Sequence, residues 1–390
     1  MNNVTIIGGG IAGVEAAIYY RKEGFEVELI SDRSYVFIYP IAIWIPVKTT
    51  RFEDVAFSLD AIAARHGFKL TVDEVLAINS AEKTITLKEG GLRNAPHLVI
   101  ATGASKMKHE GLEHNTLSIC GAPEQSLLLR DKIEALIAKG GGKIAFGFGG
   151  NPNDPSGVRG GPGFELFFNL HHRLKKLGIR DNYEMTFFAP MAEPGARMGA
   201  KALKLMEMLF KRNRFGTRYG KKIKRFDANG VIFEDESRLE SDMTMFIPAG
   251  SGSSLIKESD LPKNSADFIQ INNFCEVEGV ELWYAIGDAA ALVGPDWKAK
   301  QGHIAEVMAR NAAHNSAIAY GLKSGDKKTY QEHLNILCVM DMGNGAGFVY
   351  RDSKKALLIP MPIIGHWLKV GWGWYYKLSK MGYIPRIPGM

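Results

Sequence analysis

Hydrophobic and polar positions along this chain form two strand–helix series and then a different ending. Val4-Thr5-Ile6-Ile7 is a short, mostly β-branched run, the pattern of a strand covered on both faces. A helical stretch from Val14 to Lys22 follows, then a second apolar strand from Phe25 to Ile30. Leu98-Val99-Ile100 and Trp283-Tyr284-Ala285-Ile286 read as further strands, the second leading to a helix around Ile304–Ala319. A second series starts at the strand Lys143–Phe148, enters a helix near Gly163-Phe164-Glu165, and returns to a strand at Met185–Ala189. The ending is Leu357–Met361, apolar and broken by Pro362. Ile363–Leu378 follows, with Trp and Tyr throughout and Lys369, Lys377 and Lys380 interspersed. These elements predict an α/β fold: two Rossmann-like dinucleotide-binding domains, glutathione-reductase-like, plus a short amphipathic C-terminal segment facing a membrane. The expected boundaries are 1–105 with 255–335 for the first domain, 106–254 for the second, and 336–390 for the C-terminal segment.

The turn after the first strand carries the chemistry. Gly8, Gly10 and Gly13 form a GxGxxG pattern between a strand and a helix. Gly8 permits the tight turn, Gly10 lets a pyrophosphate approach the backbone, and Gly13 lets helix and strand pack closely. The pyrophosphate then meets the unpaired N–H groups of the helix N-terminus. The ribose-binding acid is displaced from its usual place. Ser31 stands there and Asp32 follows, and either can bond a ribose hydroxyl. Ala101-Thr102-Gly103 ends one strand, and Gly287-Asp288 ends another. In flavoproteins with two dinucleotide domains these are the crossover and the strand that reaches the ribityl chain. Asp288 is placed to accept from its hydroxyls, although a surface Asp after a core strand reads the same way. Together the three signals point to FAD.

The second series lacks such a cradle. After Gly147 the chain runs through Asn151-Pro152-Asn153-Asp154-Pro155 and on to Pro162 before its helix starts. The prolines and the long insertion disrupt a phosphate turn. The strand ending at Ala189 leads to Pro190-Met191, with no immediate ribose-binding acid. The fold of an NADH domain is expected to persist without its ligand site.

Composition changes the picture little. The 390 residues are 46% hydrophobic and 23% charged, with a net charge of +6, an ordinary globular balance. No basic stripe or known motif points to nucleic acid. A basic, aromatic C-terminal end fits an anionic lipid surface better. No uncharged apolar run reaches the ~18 residues of a membrane span. No secretory signal precedes the first strand. The three cysteines, Cys120, Cys275 and Cys338, are too few for a disulfide framework. No metal-ligand cluster is visible; His171 and His172 are adjacent on a helix and face different ways. Lys221–Arg225 alternates within an expected β-segment and reads as a solvated face. The C-terminal stretch reads as a helix lying in one leaflet, its lysines snorkelling to phosphates. A core-packing or dimer-interface helix is the other reading. Pro385, Pro388 and the terminal Gly389-Met390 leave a short tail, so attachment is weaker or requires a homo-oligomer.

The chain resembles sulfide:quinone oxidoreductases and flavocytochrome c sulfide dehydrogenases over nearly its whole length. The resemblance is carried by Ser118-Ile119-Cys120, Phe164-Glu165, Leu337-Cys338-Val339-Met340-Asp341-Met342-Gly343, Gly345-Ala346-Gly347-Phe348 and Gly365-His366-Trp367. It implies a flavin that oxidises sulfide beside cysteines and passes electrons to a membrane quinone. Cys338 resembles one of two sulfur-carrying redox cysteines. Cys120 resembles a third cysteine near the flavin edge, bonded to FAD in some members. Glu165 resembles the acid near the quinone and proton path. Lys300 resembles a lysine at the flavin's pyrimidine end, where a positive charge stabilises the reduced ring. Phe348 and Trp372 resemble the aromatic pair around the quinone.

The departures are specific. The partner cysteine belongs six residues before Glu165, and Arg159 stands there. Glu124 and Arg197-Met198 stand where histidines are usual. A Cys338 disulfide with that partner is excluded. Sulfide then attacks a Cys338-based sulfur species or the flavin itself, with Arg159 attracting HS⁻ or a polysulfide anion. Otherwise the donor is another small reductant. The leading expectation is a monotopic FAD enzyme on the cytoplasmic or inner membrane, carrying electrons from sulfide to quinone. The alternatives are a single-subunit NADH:quinone oxidoreductase and a flavin subunit paired with a cytochrome. Cys275 lies outside every matched motif and reads as structural.

Overall fold

The structure is a computed structural model and describes residues 2–386. Pro388, Gly389 and Met390, named above for the tail, lie outside the described residues. One five-stranded sheet takes Trp283–Ala285, Leu98–Ile100, Asn3–Ile7, Glu26–Ser31 and Lys69–Val72 in that spatial order, all parallel. Ile6 pairs with Leu29 on one side and Val99 on the other, and all three are fully buried. Each such side chain stabilises the fold by about 1.5–3 kcal/mol. The helices Ile11–Lys22 and Gly302–Ala319 pack against each other. Ala12, Ala16 and Ala17 on one helix and Ala305, Ala309 and Ala312 on the other are buried small residues that allow a close approach.

A second parallel sheet takes Thr116–Leu117, Met243–Ile247, Gly142–Phe148, Tyr183–Ala189 and Gly216–Tyr219. A phenylalanine cluster fills the space under its covering helix, with Phe164 stacked on Phe187 at 4.4 Å. That helix spans Gly161–Lys176 and begins two residues before the predicted start. Pro162 lies in its first turn, where a missing N–H costs nothing. The basic segment enters the strand Ile223–Asp227, and Lys221 and Lys224 pair with Asp235 and Glu236 at the surface.

The chain ends in an antiparallel sheet of Ile336–Asp341, Gly345–Arg351 and Ala356–Pro362, followed by the helix Ile364–Lys380. This helix packs tightly: a Cβ on Gly365 would stand 2.5 Å from that of Ala346. Its outer stripe, Ile364, Trp367, Leu368 and Trp374, is 49% to 71% exposed, an apolar face at helical spacing with no cover. The expectation that its lysines snorkel is wrong for two of three. Lys369 and Lys380 are buried. Lys380 is held between Glu15 and Glu306, with Arg386 and Arg310 completing the cluster. A buried ammonium without partners costs several kcal/mol, so these lysines point to carboxylates within the fold. Lys377 alone of the three is half-exposed.

Candidate functional site

The N-terminal turn is built for a nucleotide. Gly8 has φ +108°, and a Cβ there would meet Ala101 O at 2.4 Å. A Cβ on Gly13 would stand 1.8 Å from Gly8 O, whereas Gly10 faces open space. No side chain caps the helix that starts at Ile11, so its N–H groups remain available to an anion. Thr102 Oγ1 is buried without a partner among the described residues. Ser31 is engaged elsewhere: its hydroxyl donates to Arg33 O at 2.7 Å. Of the two ribose candidates, Asp32 is the one facing outward, on a groove of about 460 Å³ shared with Arg33, Tyr39, Lys106 and Cys120. The residues fit FAD.

Beyond Gly103 cations gather, with Lys106 and Lys300 both close enough to Arg159 to feel its charge. Arg159 and Asp288, expected to serve donor and ribityl chain separately, form an ion pair with each other. Asp288 sits in the turn Gly287–Ala289, with Gly287 at φ +64°. Lys300 is buried over the Phe268 ring at 3.7 Å and donates to Ala290 O. Burial brings its pKa down to about 7, against the pull of Asp154, so its charge grows as pH falls through neutrality. Lys106 is lowered to about 8, by burial and then by Arg159. Arg197, standing where a histidine is usual, donates to Pro155 O, Val158 O and Lys298 O. It thereby ties the segment before Arg159 to the segment before Lys300.

A second constellation lies where the C-terminal sheet meets the helix Gly161–Lys176. Glu165, on the first turns of that helix, pairs with Lys369 of the C-terminal helix. It also accepts the Asp341 N–H at 2.8 Å. Burial raises its carboxyl pKa, and Lys369 opposes the rise. The Cys338 thiol is pushed up to about 12, by burial and by the Glu165 carboxylate. At neutral pH this sulfur carries its proton. Cys275 is fully buried, has φ +69° and is pushed up further by burial. Phe348 lies on the side of the C-terminal helix, because it is two positions from Ala346 on one strand and shares its face, and Ala346 meets Gly365. Trp372 is half-buried on that helix and packs on Tyr376 at 5.3 Å.

Sequence reasoning missed two residues. Asp341 is fully buried, accepting from Trp44 Nε1 at 2.8 Å and pairing with His366 Nδ1 at 2.9 Å. Both stand in motifs quoted above, but nothing local shows that they meet. Among the described residues no group of three or more His, Cys, Asp or Glu is placed to hold a metal ion.

The second domain's phosphate turn is filled by its own chain. Asn151 Nδ2 donates to Gly250 O at 2.9 Å, and Asp154 accepts from Ser156 N and Asn264 Nδ2. A Cβ on Gly157 would meet Gly250 O at 2.4 Å.

This arrangement of two Rossmann-like sheets around a glycine cradle agrees with the sequence comparison. The profile of the pyridine nucleotide-disulphide oxidoreductases matches residues 2–317, and the chain belongs to that family. It is an FAD-binding oxidoreductase. A sulfide-quinone reductase of Aquifex aeolicus is 28% identical, over 96% of this chain and 90% of its own. The crystal structure of the Aquifex aeolicus sulfide:quinone oxidoreductase superposes with a TM-score of 0.87 at 24% identity, covering 98% of this chain and 92% of that one. The Plasmodium falciparum NDH2 structure shares the fold, with a TM-score of 0.74 at 12% identity over 100% and 99% of the two chains.

Proposed function

We propose that this enzyme oxidises sulfide, or a related reduced sulfur donor, and passes the electrons to a membrane quinone. The observation that carries the reading is the uncovered apolar stripe of the C-terminal helix. It lies over a sheet that bears Phe348 on the near face and Cys338 on the strand beside it. A quinone is apolar and reaches such a site from lipid. Similarity to a sulfide-quinone reductase along nearly the whole chain supports the same reading. FAD, when bound, supplies two-electron chemistry. Gly8, Gly10, Gly13, Asp32, Thr102, Gly103 and Asp288 are the residues that would hold it, with Lys300 beside the ring.

Arg159 replaces the second sulfur-carrying cysteine and cannot exchange disulfides. Paired with Asp288 through one end of its guanidinium, it keeps further N–H donors with which to bind the donor anion. Cys338, protonated at rest, takes part only once a donor sulfur has been activated nearby. The filled turn at Asn151–Gly157 argues against NADH as donor. The test is quinone reduction under anaerobic conditions. Sulfide-dependent reduction of decylubiquinone is expected from wild type, and a loss of ~100-fold or more in Cys338→Ala. Reduction that needs NADH would favour the dehydrogenase reading. Reduction only through an added cytochrome would favour an electron-transfer subunit.

No helix among the described residues is long and apolar enough to cross a membrane. The apolar stripe is proposed to lie in one leaflet of the cytoplasmic or inner membrane. Each Trp removed from lipid loses roughly 1.5–3 kcal/mol, and about 1.4 kcal/mol is tenfold in affinity. The double variant Trp367→Ser/Trp374→Ser is therefore expected to bind anionic vesicles at least about tenfold more weakly in sedimentation. Unchanged binding would place the attachment elsewhere.

A further inference from the structure

The Asp341–His366 pair has the geometry of a held acid–base group. Asp341 is fully buried, and both carboxylate oxygens are used, one by Trp44 Nε1 and one by His366 Nδ1. A carboxylate bonded to Nδ1 fixes the imidazole's orientation and leaves Nε2 to act outward. His366 Nε2 makes no hydrogen bond among the described residues, and the side chain is 22% exposed. The ring is braced edge-on by Trp44 at 5.3 Å and by Trp367 at 5.5 Å. It stands at the start of the C-terminal helix, at the border between the buried charges and the uncovered apolar stripe.

The register puts this pair beside the proposed quinone position. Asp341 is paired with Ala346, and Val339 with Phe348. All four side chains therefore share the sheet face that meets the C-terminal helix. Trp372 lies on the same helix as His366, less than two turns further along. The other titratable groups around the dyad are Glu165 and His172 from the helix Gly161–Lys176 and Lys369 from the C-terminal helix. Lys369 is committed to Glu165, whose carboxylate accepts from Lys369 and from the Asp341 N–H, so neither competes for His366.

We propose that His366, oriented by Asp341, is the proton donor to a carbonyl oxygen of the quinone. This rests on the quinone reading above. Reduction of a quinone to a quinol takes two electrons and two protons. The electrons and one proton come with the flavin chemistry of the enzyme. The other proton leaves His366 Nε2 as an O–H bond forms on the quinone, and the neutral imidazole regains a proton from water. The donating form is the imidazolium, with Nδ1–H bonded to Asp341 and Nε2–H facing outward.

The test separates this step from the donor question. Holoenzyme is reduced with dithionite, freed of excess reductant, and mixed anaerobically with decylubiquinone. General acid catalysis contributes ~10²–10⁴-fold, so His366→Asn is expected to slow flavin reoxidation at least about 100-fold and to flatten its pH dependence. Quinone affinity, read without turnover from tryptophan quenching in oxidised protein, is expected to change less than about twofold. Asp341→Asn is expected to slow the same step by a smaller factor. If wild type itself is not reoxidised by decylubiquinone, the quinone reading fails. If wild type is reoxidised and His366→Asn matches it in rate and pH profile, the proton-donor assignment fails. If His366→Asn loses affinity and rate together, its role is in holding the quinone, and the assignment fails as well.

Discussion

Gly13→Val is expected to give protein without flavin absorbance. Even the first carbon of a side chain at this position would lie 1.8 Å from Gly8 O. The obstacle is backbone, so no rotamer change relieves it. Either the Ile11–Lys22 helix moves away from its strand or the Gly8 carbonyl turns. Both displace the N–H groups that would hold the pyrophosphate. Gly8 cannot yield easily, because Ala101 O stands 2.4 Å from its own Cβ position at φ +108°. Gly10→Ala, by contrast, places its carbon in open space within the protein and would collide only with a bound ligand. It is expected to fold normally and bind FAD weakly. The visible spectrum of each purified variant, beside its far-ultraviolet circular dichroism, checks both outcomes.

Lys380→Met is expected to destabilise the fold by about 3–5 kcal/mol, the usual cost of breaking a buried ion pair from one side. It leaves Glu15 and Glu306, on the two packed helices of the FAD sheet, facing each other with only the two arginines. Burial pushes the Glu15 carboxyl up, but Lys380, Arg386 and Arg310 together hold it below its ordinary value. In the sign of linkage, a carboxyl lowered on folding stabilises the fold above its unfolded pKa. That contribution is lost as pH falls through the folded value. The Lys380→Met deficit should therefore be largest near neutrality and shrink in acid. Lys377→Met, on the half-exposed side, is expected within about 0.5 kcal/mol of wild type. Thermal unfolding across pH measures both. A reversed order would mean that Lys380 does not anchor the C-terminal helix.

The nucleotide cradle was legible in the sequence because its requirement is local. Three glycines within six residues, between a β-branched strand and a helix, can only serve a close backbone approach. The C-terminal helix was legible as an aromatic, amphipathic stretch, and its outer stripe follows that spacing. The fate of its lysines was not legible. Lys369 and Lys380 look the same in sequence whether they reach for phosphate or for a carboxylate 204 or 365 residues away. Arg159 was read as a cation that attracts the donor anion, and its pairing with Asp288 depends on how the two nucleotide domains meet. Asp341 and His366 were visible within their motifs, and only the packing of the last helix onto the last sheet joins them. Ser31 could not be separated from Asp32 because the direction of a hydroxyl is set by the turn at Arg33.

The most direct test of the sulfide reading is anaerobic rapid mixing of the holoenzyme with sulfide, and separately with NADH, while following the flavin absorbance. The account predicts bleaching by sulfide at a rate that saturates with its concentration, absent in Cys338→Ala, and no bleaching by NADH. Bleaching by NADH with sulfide inert would contradict it.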